Sequence, residues 1–182
     1  MSKQPRTLNI FGATGSIGDN TVDVILAHKE RFDVQVITAH SNAEKLAQCA
    51  VKLNAKFAVL SDDTGYAALK NALAGTDIKA AAGRQALLDY AQTPVDLNVM
   101  AVVGMAGLEP ILKAMPHCRY MAIANKEPLV AAGTLVMQAA QTHNVTILPL
   151  DSEHNAIFQV FDDNARQSIE RLILTASGGP FR

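Results

Sequence analysis

Two stretches of this 182-residue chain hold residue types that could do chemistry together. One is Asp151-Ser152-Glu153-His154-Asn155, which follows the apolar run 145–150. In an extended chain, residues 151 and 153 project to the same side, so their carboxylates could close on one hard divalent cation. The same residues also suit a helix start. Asp151 or Ser152 could be the N-cap, with Glu153 near the positive end of the helix, ahead of the apolar positions Ala156, Ile157, Val160 and Phe161. The residues alone leave both readings open, and His154 reads as a hydrogen-bonding neighbour of the acids. The other stretch is Gly12-Ala13-Thr14-Gly15-Ser16-Ile17-Gly18. An apolar run (8–11) precedes it, and a helical pattern with Val22, Ile25 and Leu26 on one face follows it. In a strand-turn-helix unit, Gly12 permits the turn, Gly15 lets the backbone approach a ligand, and Gly18 lets the helix press on the strand. The first N–H groups of that helix, with the Thr14 and Ser16 hydroxyls, then face a point where a pyrophosphate can sit. A glycine turn that merely packs a helix on a sheet is the plainer alternative, because the spacing is G-x-x-G-x-x-G.

Three further positions bear on a dinucleotide. A site for NAD usually carries a carboxylate at the end of the second strand for the ribose 2′-hydroxyl, but Ala39-His40-Ser41-Asn42 offers none. That favours NADP, with Ser41 and Asn42 as contacts to the adenosine ribose or its 2′-phosphate. Ser41 also makes a capping box with Glu44. At Asn125-Lys126-Glu127-Pro128, the proline fits a first helical turn and Glu127 suits its positive end, but a lysine there is electrostatically misplaced. Lys126 is therefore either solvated or held for an anion. Ser177-Gly178-Gly179 could present backbone N–H groups to a phosphate, or could simply be a turn.

These stretches must be carried by alternating elements. The sequence predicts strands at 8–11, 34–39, 57–60, 77–81, 96–103, 119–124, 145–150 and 169–176. Helices are predicted from the glycine turn onward, at 43–53, 62–73, 83–90 and 108–115, from Pro128 to about 142, and after the acidic cluster. Such alternation predicts an α/β fold, Rossmann-like and doubly wound, with a mainly parallel sheet and ligands bound at the strand C-termini. Gly104-Met105-Ala106-Gly107 would then wall a pocket there or turn the chain into the next helix.

Composition narrows the classes. With 49% hydrophobic residues, 18% charged residues and a net charge of −1, the chain has an ordinary core and no basic field for nucleic acid. No apolar run is long enough for a bilayer and no signal-type start is present, so no membrane association and a cytoplasmic setting are expected. Cys49 and Cys118 lack metal-type spacing and read as reduced thiols.

Taken together, Gly-Ala-Thr-Gly-Ser-Ile-Gly at 12–18, Ala-Asn-Lys-Glu at 124–127, Leu-Asp-Ser-Glu-His-Asn-Ala-Ile-Phe-Gln at 150–159 and Ser-Gly-Gly-Pro-Phe-Arg at 177–182 resemble the 1-deoxy-D-xylulose 5-phosphate reductoisomerase family. The resemblance implies NADPH-dependent conversion of a ketose phosphate to 2-C-methyl-D-erythritol 4-phosphate, in non-mevalonate isoprenoid biosynthesis. A metal-assisted rearrangement is followed by hydride transfer. It assigns Asp151 and Glu153 to Mg²⁺ or Mn²⁺, and Lys126, Ser152, Glu153 and Ser177 to substrate. Thr14, Gly15, Ser16, Ile17, Asn125 and Glu127 match its cofactor contacts, as does the region around Asn42. Family members are longer homodimers. The expectation is therefore an NADPH-binding domain over 1–150 and the start of an α+β catalytic domain over 151–182, binding NADPH but turning over little substrate. Two alternatives stand beside it. A semialdehyde-type NADP-dependent dehydrogenase would need a nucleophilic cysteine. In a nucleotide-sensing Rossmann module, Asp151 would be only a helix cap.

Overall fold

The computed structural model describes residues 4–173. The glycine turn does what its spacing requires. Strand β1 (Arg6–Phe11) runs into it, and helix α1 (Ser16–Ala27) leaves it. Strand β2 (Phe32–Ala39), helix α2 (Ala43–Leu53), strand β3 (Phe57–Leu60), helix α3 (Tyr66–Ala72), strand β4 (Lys79–Ala82) and helix α4 (Arg84–Ala91) complete the first half. The second half comprises β5 (Val95–Met100), α5 (Leu108–Ala114), β6 (Cys118–Ile123), α6 (Glu127–Thr142), β7 (Thr146–Pro149) and α7 (Ser152–Val160).

The seven strands form one sheet in the order β4-β3-β2-β1-β5-β6-β7, and every pairing is parallel, where a mainly parallel sheet was expected. Parallel neighbours need crossover connections, and the helices supply them. The strand period of two assigns the faces. Leu8, Ile10 and Ile37 pack with Val22 and Ile25 of α1 and Leu46 of α2. Phe11, Met100, Met121 and Ile123 point the other way, onto Leu87 of α4, Ile111 of α5 and Val136 of α6. From β1 the chain steps outward to β4, then crosses back to β5 on the other side of β1. The connections after β1 and β5 thus diverge, leaving a crevice at the strand C-termini.

Several boundaries differ from expectation for identifiable reasons. β5 stops at Met100, not 103, because its ladder partner β1 ends at Phe11, and Ala101 N–H donates the last bond, to Phe11 O at 2.8 Å. The helix expected over 62–73 begins as a 3₁₀ turn, with Asp62 accepting from Thr64 N–H, and becomes α-helical only at Tyr66. β4 and α4 lie one or two residues later than predicted. Asn42, not Ser41, caps α2, accepting from Lys45 N–H at 3.0 Å. The Ser41–Glu44 box is therefore one residue out of phase. Residues 169–173 form no strand, and the rest of the predicted strand lies outside the described residues.

One buried polar pair is built into the sheet. Asn9 and Asn98 are neighbours across β1 and β5 with no exposed surface. Asn9 Nδ2 donates to Asn98 Oδ1 at 2.9 Å and to Thr93 O at 3.2 Å, while Asn9 Oδ1 has no partner among the described residues and the Asn98 amide faces the Cys118 thiol. Removing the Asn98 amide takes from Asn9 Nδ2 the nearer of its two acceptors and leaves a buried gap, so Asn98→Ala is expected to cost about 1–3 kcal/mol. The double replacement Asn9→Leu with Asn98→Leu should cost less than the sum of the two single changes. Urea unfolding of the four proteins checks this.

Candidate functional site

The crevice is a cavity of about 720 Å³ whose wall is built from the ends of four strands. Gly12, Thr14 and Gly15 follow β1, His40 follows β2, Ser61 follows β3, and Ala101 and Val102 follow β5. Two of the three glycines are sterically obligatory. Gly12 has φ +88° and a Cβ there would lie 2.4 Å from Ala101 O. At Gly18 a Cβ would lie 2.3 Å from Gly12 O, so α1 presses on the turn itself. Gly15 is different. It has extended backbone, φ −87° and ψ 175°, and its nearest non-adjacent neighbour to a Cβ is 3.7 Å away. The protein does not need a glycine there, but a ligand lying on the loop would.

The loop is fixed from both sides. Gly12 and Ala13 N–H both donate to Thr38 O, at 3.1 and 2.7 Å. Lys45 of α2 donates through Nζ to Thr14 O at 3.0 Å and to Asp19 of α1 at 2.7 Å. Neither Lys45 nor His40 was singled out in the sequence. The available signal for His40 was its place directly after a strand end.

Of the residues predicted for a cofactor, Thr14 and Gly15 line the cavity. Ser16 and Ile17 form the exposed first turn of α1. Ser41 and Asn42 are exposed just beyond the lining, where Asn42 is engaged as a cap, and His40 takes the wall position. Asn125, after β6, donates from Nδ2 to Val102 O at 2.7 Å and to Gly104 O at 3.0 Å, holding the loop after β5 in place. Glu127 is the exposed first residue of α6. Lys126, its N-cap, is exposed and has no acidic partner among the described residues.

The acidic cluster lies at the end of β7, next in the sheet to β6. Leu150 N–H donates to Ile123 O at 2.9 Å, so the ends of β6 and β7 are tied together. The extended arrangement of residues 151–153 is not what forms. Asp151 is the N-cap of α7, and Ser152 and Glu153 are already helical, because the apolar spacing that follows favours a helix. Asp151 Oδ1 accepts from His154 N–H at 3.0 Å, and His154 Nδ1 lies 2.7 Å from the same oxygen. Burial works to raise the Asp151 pKa, but these hydrogen bonds and the neighbouring imidazole together outweigh it and hold the carboxyl below its ordinary value. Asp151 and Glu153 bring hard oxygen donors to one helix terminus, the donor type that Mg²⁺ and Mn²⁺ take. No group of three potential ligands occurs among the described residues. Ser152 is exposed, and Ser177 lies outside the described residues.

Thiol chemistry finds no support here. Burial pushes both Cys49 and Cys118 up, with Asp19 adding to the effect at Cys49, and neither lines the cavity. No helix among the described residues is long and apolar enough to cross a membrane.

Comparison with known proteins decides the family. The sequence model for 1-deoxy-D-xylulose 5-phosphate reductoisomerase matches residues 8–133, and that for the C-terminal domain of the same enzyme matches residues 147–182. The chain belongs to the 1-deoxy-D-xylulose 5-phosphate reductoisomerase family. The reductoisomerase of Rhodospirillum centenum is 51% identical, over 97% of this chain and 44% of its own length. That of Zymomonas mobilis is 48% identical, over 98% and 46%. The chain thus spans about half the length of the curated reductoisomerases it matches. Among solved structures, the Zymomonas mobilis reductoisomerase in complex with NADPH superposes with a TM-score of 0.93 at 48% identity, covering 98% of this chain and 47% of that one. A reductoisomerase in complex with NADPH, fosmidomycin and magnesium gives 0.82 at 38% identity, covering 88% and 40%. An apo scyllo-inositol dehydrogenase from Lactobacillus casei, at 15% identity and a TM-score of 0.58, shares the fold.

Two outcomes follow from the site's geometry. Gly18→Ala must displace the Gly12 backbone and should lower unfolding stability by about 1–3 kcal/mol, whereas Gly15→Ala should change it by less than about 1 kcal/mol. Thermal and urea unfolding compare them. For Asp151, whose native pKa lies below its unfolded value, the cap contributes stability above the unfolded pKa and loses it as pH falls through the native one. An NMR titration of the Asp151 carboxyl should therefore give a midpoint below the ordinary range, and His154→Ala should raise it.

Proposed function

We propose that this chain supplies the NADPH-binding domain, over residues 1–150, and the first metal and substrate ligands, from 151 onward, of a 1-deoxy-D-xylulose 5-phosphate reductoisomerase. The observation that carries the proposal is the alignment of the candidate residues along one edge of the sheet. Gly15 follows β1, Asn125 and Lys126 follow β6, and Asp151 and Glu153 follow β7, all at strand C-termini. Adjacent strands lie about 4.8 Å apart, so a dinucleotide lying over β1 would bring its reactive end toward the acids.

In this reading the Gly15 and Ser16 N–H groups and the N terminus of α1 take the pyrophosphate. The cleft residues exclude water from the rest of the nucleotide. Lys126, exposed and without an acidic partner among the described residues, pairs with an anionic group of a small phosphorylated ketose. Asp151 and Glu153, with Asp151 kept ionised by its hydrogen bonds, hold the divalent cation, and Ser152 and Ser177 bind substrate. Bound NADPH supplies a hydride, and bound Mg²⁺ or Mn²⁺ supplies a Lewis acid for the oxygens on which charge develops. The complete enzyme would act as a homodimer.

A nucleotide-sensing module is the second reading, because the cap made by Asp151 satisfies that carboxylate without any metal. Binding experiments on the purified chain separate the two. NADPH, followed by its fluorescence, should bind more tightly than NADH, and Gly15→Val should fold but lose both. Mn²⁺ titration followed by electron paramagnetic resonance should show binding by the wild type that Asp151→Asn weakens. A sensor would show no difference between those two proteins.

A further inference from the structure

The end of β2 carries no carboxylate, which removes a group hostile to the 2′-phosphate of NADPH but does not by itself supply one that attracts it. The cation must come from elsewhere on the cavity wall. Lys45 is the nearest lysine in sequence, but its ammonium is committed to Thr14 O and Asp19 and is not part of the lining. Among the described residues the lining has one permanently charged cation, Arg84, along with His40, whose Nδ1 lies 2.9 Å from Ser61 Oγ. We infer that Arg84, the first residue of α4, is the group through which this protein distinguishes NADPH from NADH, and that Glu109 holds it in place until the nucleotide arrives.

The backbone puts Arg84 within reach. Asp62 N–H donates to His40 O at 3.0 Å, and Gly83 N–H donates to Leu60 O at 2.9 Å. The ends of β2, β3 and β4 are therefore consecutive steps along one rim, with Arg84 one strand beyond Ser61 and two beyond His40. Two strand spacings make about 10 Å, a gap that an arginine on one side and a ribose phosphate extending from the other close between them. The Gly83 turn, φ +97°, delivers the arginine at the mouth of the cavity, not behind the sheet.

The charge is also available. The Arg84 side chain is 80% exposed and its only ion-pair partner among the described residues is Glu109 of α5, across the cavity mouth. A guanidinium in that setting can leave an exposed carboxylate for a dianionic phosphate, which it binds as a two-pronged donor. Of the two acids that follow β3, Asp63 lies beside the Gly83 turn but makes no ion pair with Arg84 among the described residues. Asp62 is engaged with the N–H and hydroxyl of Thr64, and it faces His40.

This assignment rests on the proposed binding of NADPH, so the test separates the two. Dissociation constants for NADPH and NADH are measured by fluorescence and calorimetry on the wild-type chain, Arg84→Met, Arg84→Lys and Glu109→Gln, with circular dichroism to check folding. Arg84→Met is expected to weaken NADPH by about tenfold or more while leaving NADH within about twofold, collapsing the preference. Arg84→Lys should retain part of it, and Glu109→Gln should keep or increase it. The wild-type preference should shrink with added salt. Equal weakening of both nucleotides by Arg84→Met would mean a contact to the shared adenine and would overturn the assignment. An unchanged ratio would overturn it too, as would a loss of NADPH binding in Glu109→Gln matching that in Arg84→Met, the mark of a mere brace between helices. In each of those cases NADPH binding itself would stand, whereas a wild-type chain that binds neither nucleotide would remove both proposals.

Discussion

The structure depends on a backbone contact that only glycine allows. Gly12 lies against the Ala101 carbonyl, and Gly18 against the Gly12 carbonyl, each closer than any side chain permits. These two contacts bring the end of β1, the end of β5 and the start of α1 together at one point. The chain reverses its direction of travel across the sheet there, and the crevice opens where its connections part. A methyl group at Gly18 would push α1 off the turn, and one at Gly12 would drive the turn away from the chain that follows β5. Hydrophobic packing on both faces stabilises the layers, but it does not choose where the opening lies. The glycines do.

Around that point the electrostatics are arranged by strand end. The glycine loop presents backbone donors, the β2–β4 rim presents an imidazole, a hydroxyl and a guanidinium, and the β6–β7 rim presents a lysine beside two carboxylates. Asp151 illustrates how one residue serves two purposes. As an N-cap it satisfies a backbone donor of α7, and the same hydrogen bonds hold its carboxyl below its ordinary pKa.

Much of this was legible in the residues. β3 and α2 fall on their predicted bounds, because Phe57-Ala58-Val59-Leu60 is a bounded apolar run and 43–53 has one clear apolar face. The glycine turn was readable because Gly12 and Gly18 have separate steric tasks between an apolar run and a helical pattern. What was not legible depended on partners distant in sequence. Nothing in the run from Val99 to Val103 says that β5 ends at Met100, since the reason is that β1 ends beside it. For Asp151 and Glu153 the residues allowed either an extended pair or a helix cap, and the structure takes the cap. His40, Arg84 and Glu109 escaped notice because they belong to no motif. They meet only when β2, β4 and α5 converge on one cavity.

The amide of Asn125 has a mechanical implication. Its two hydrogen bonds clasp the carbonyls of Val102 and Gly104, and its own backbone leads directly into Lys126. Val102 belongs to the cavity wall, and Gly104, at φ +68° with open space around it, is a natural pivot for the strap between β5 and α5. The Asn125 amide thus ties the strap between β5 and α5 to the backbone that carries Lys126, like a latch and its keeper, so the two halves of the crevice share one fastening.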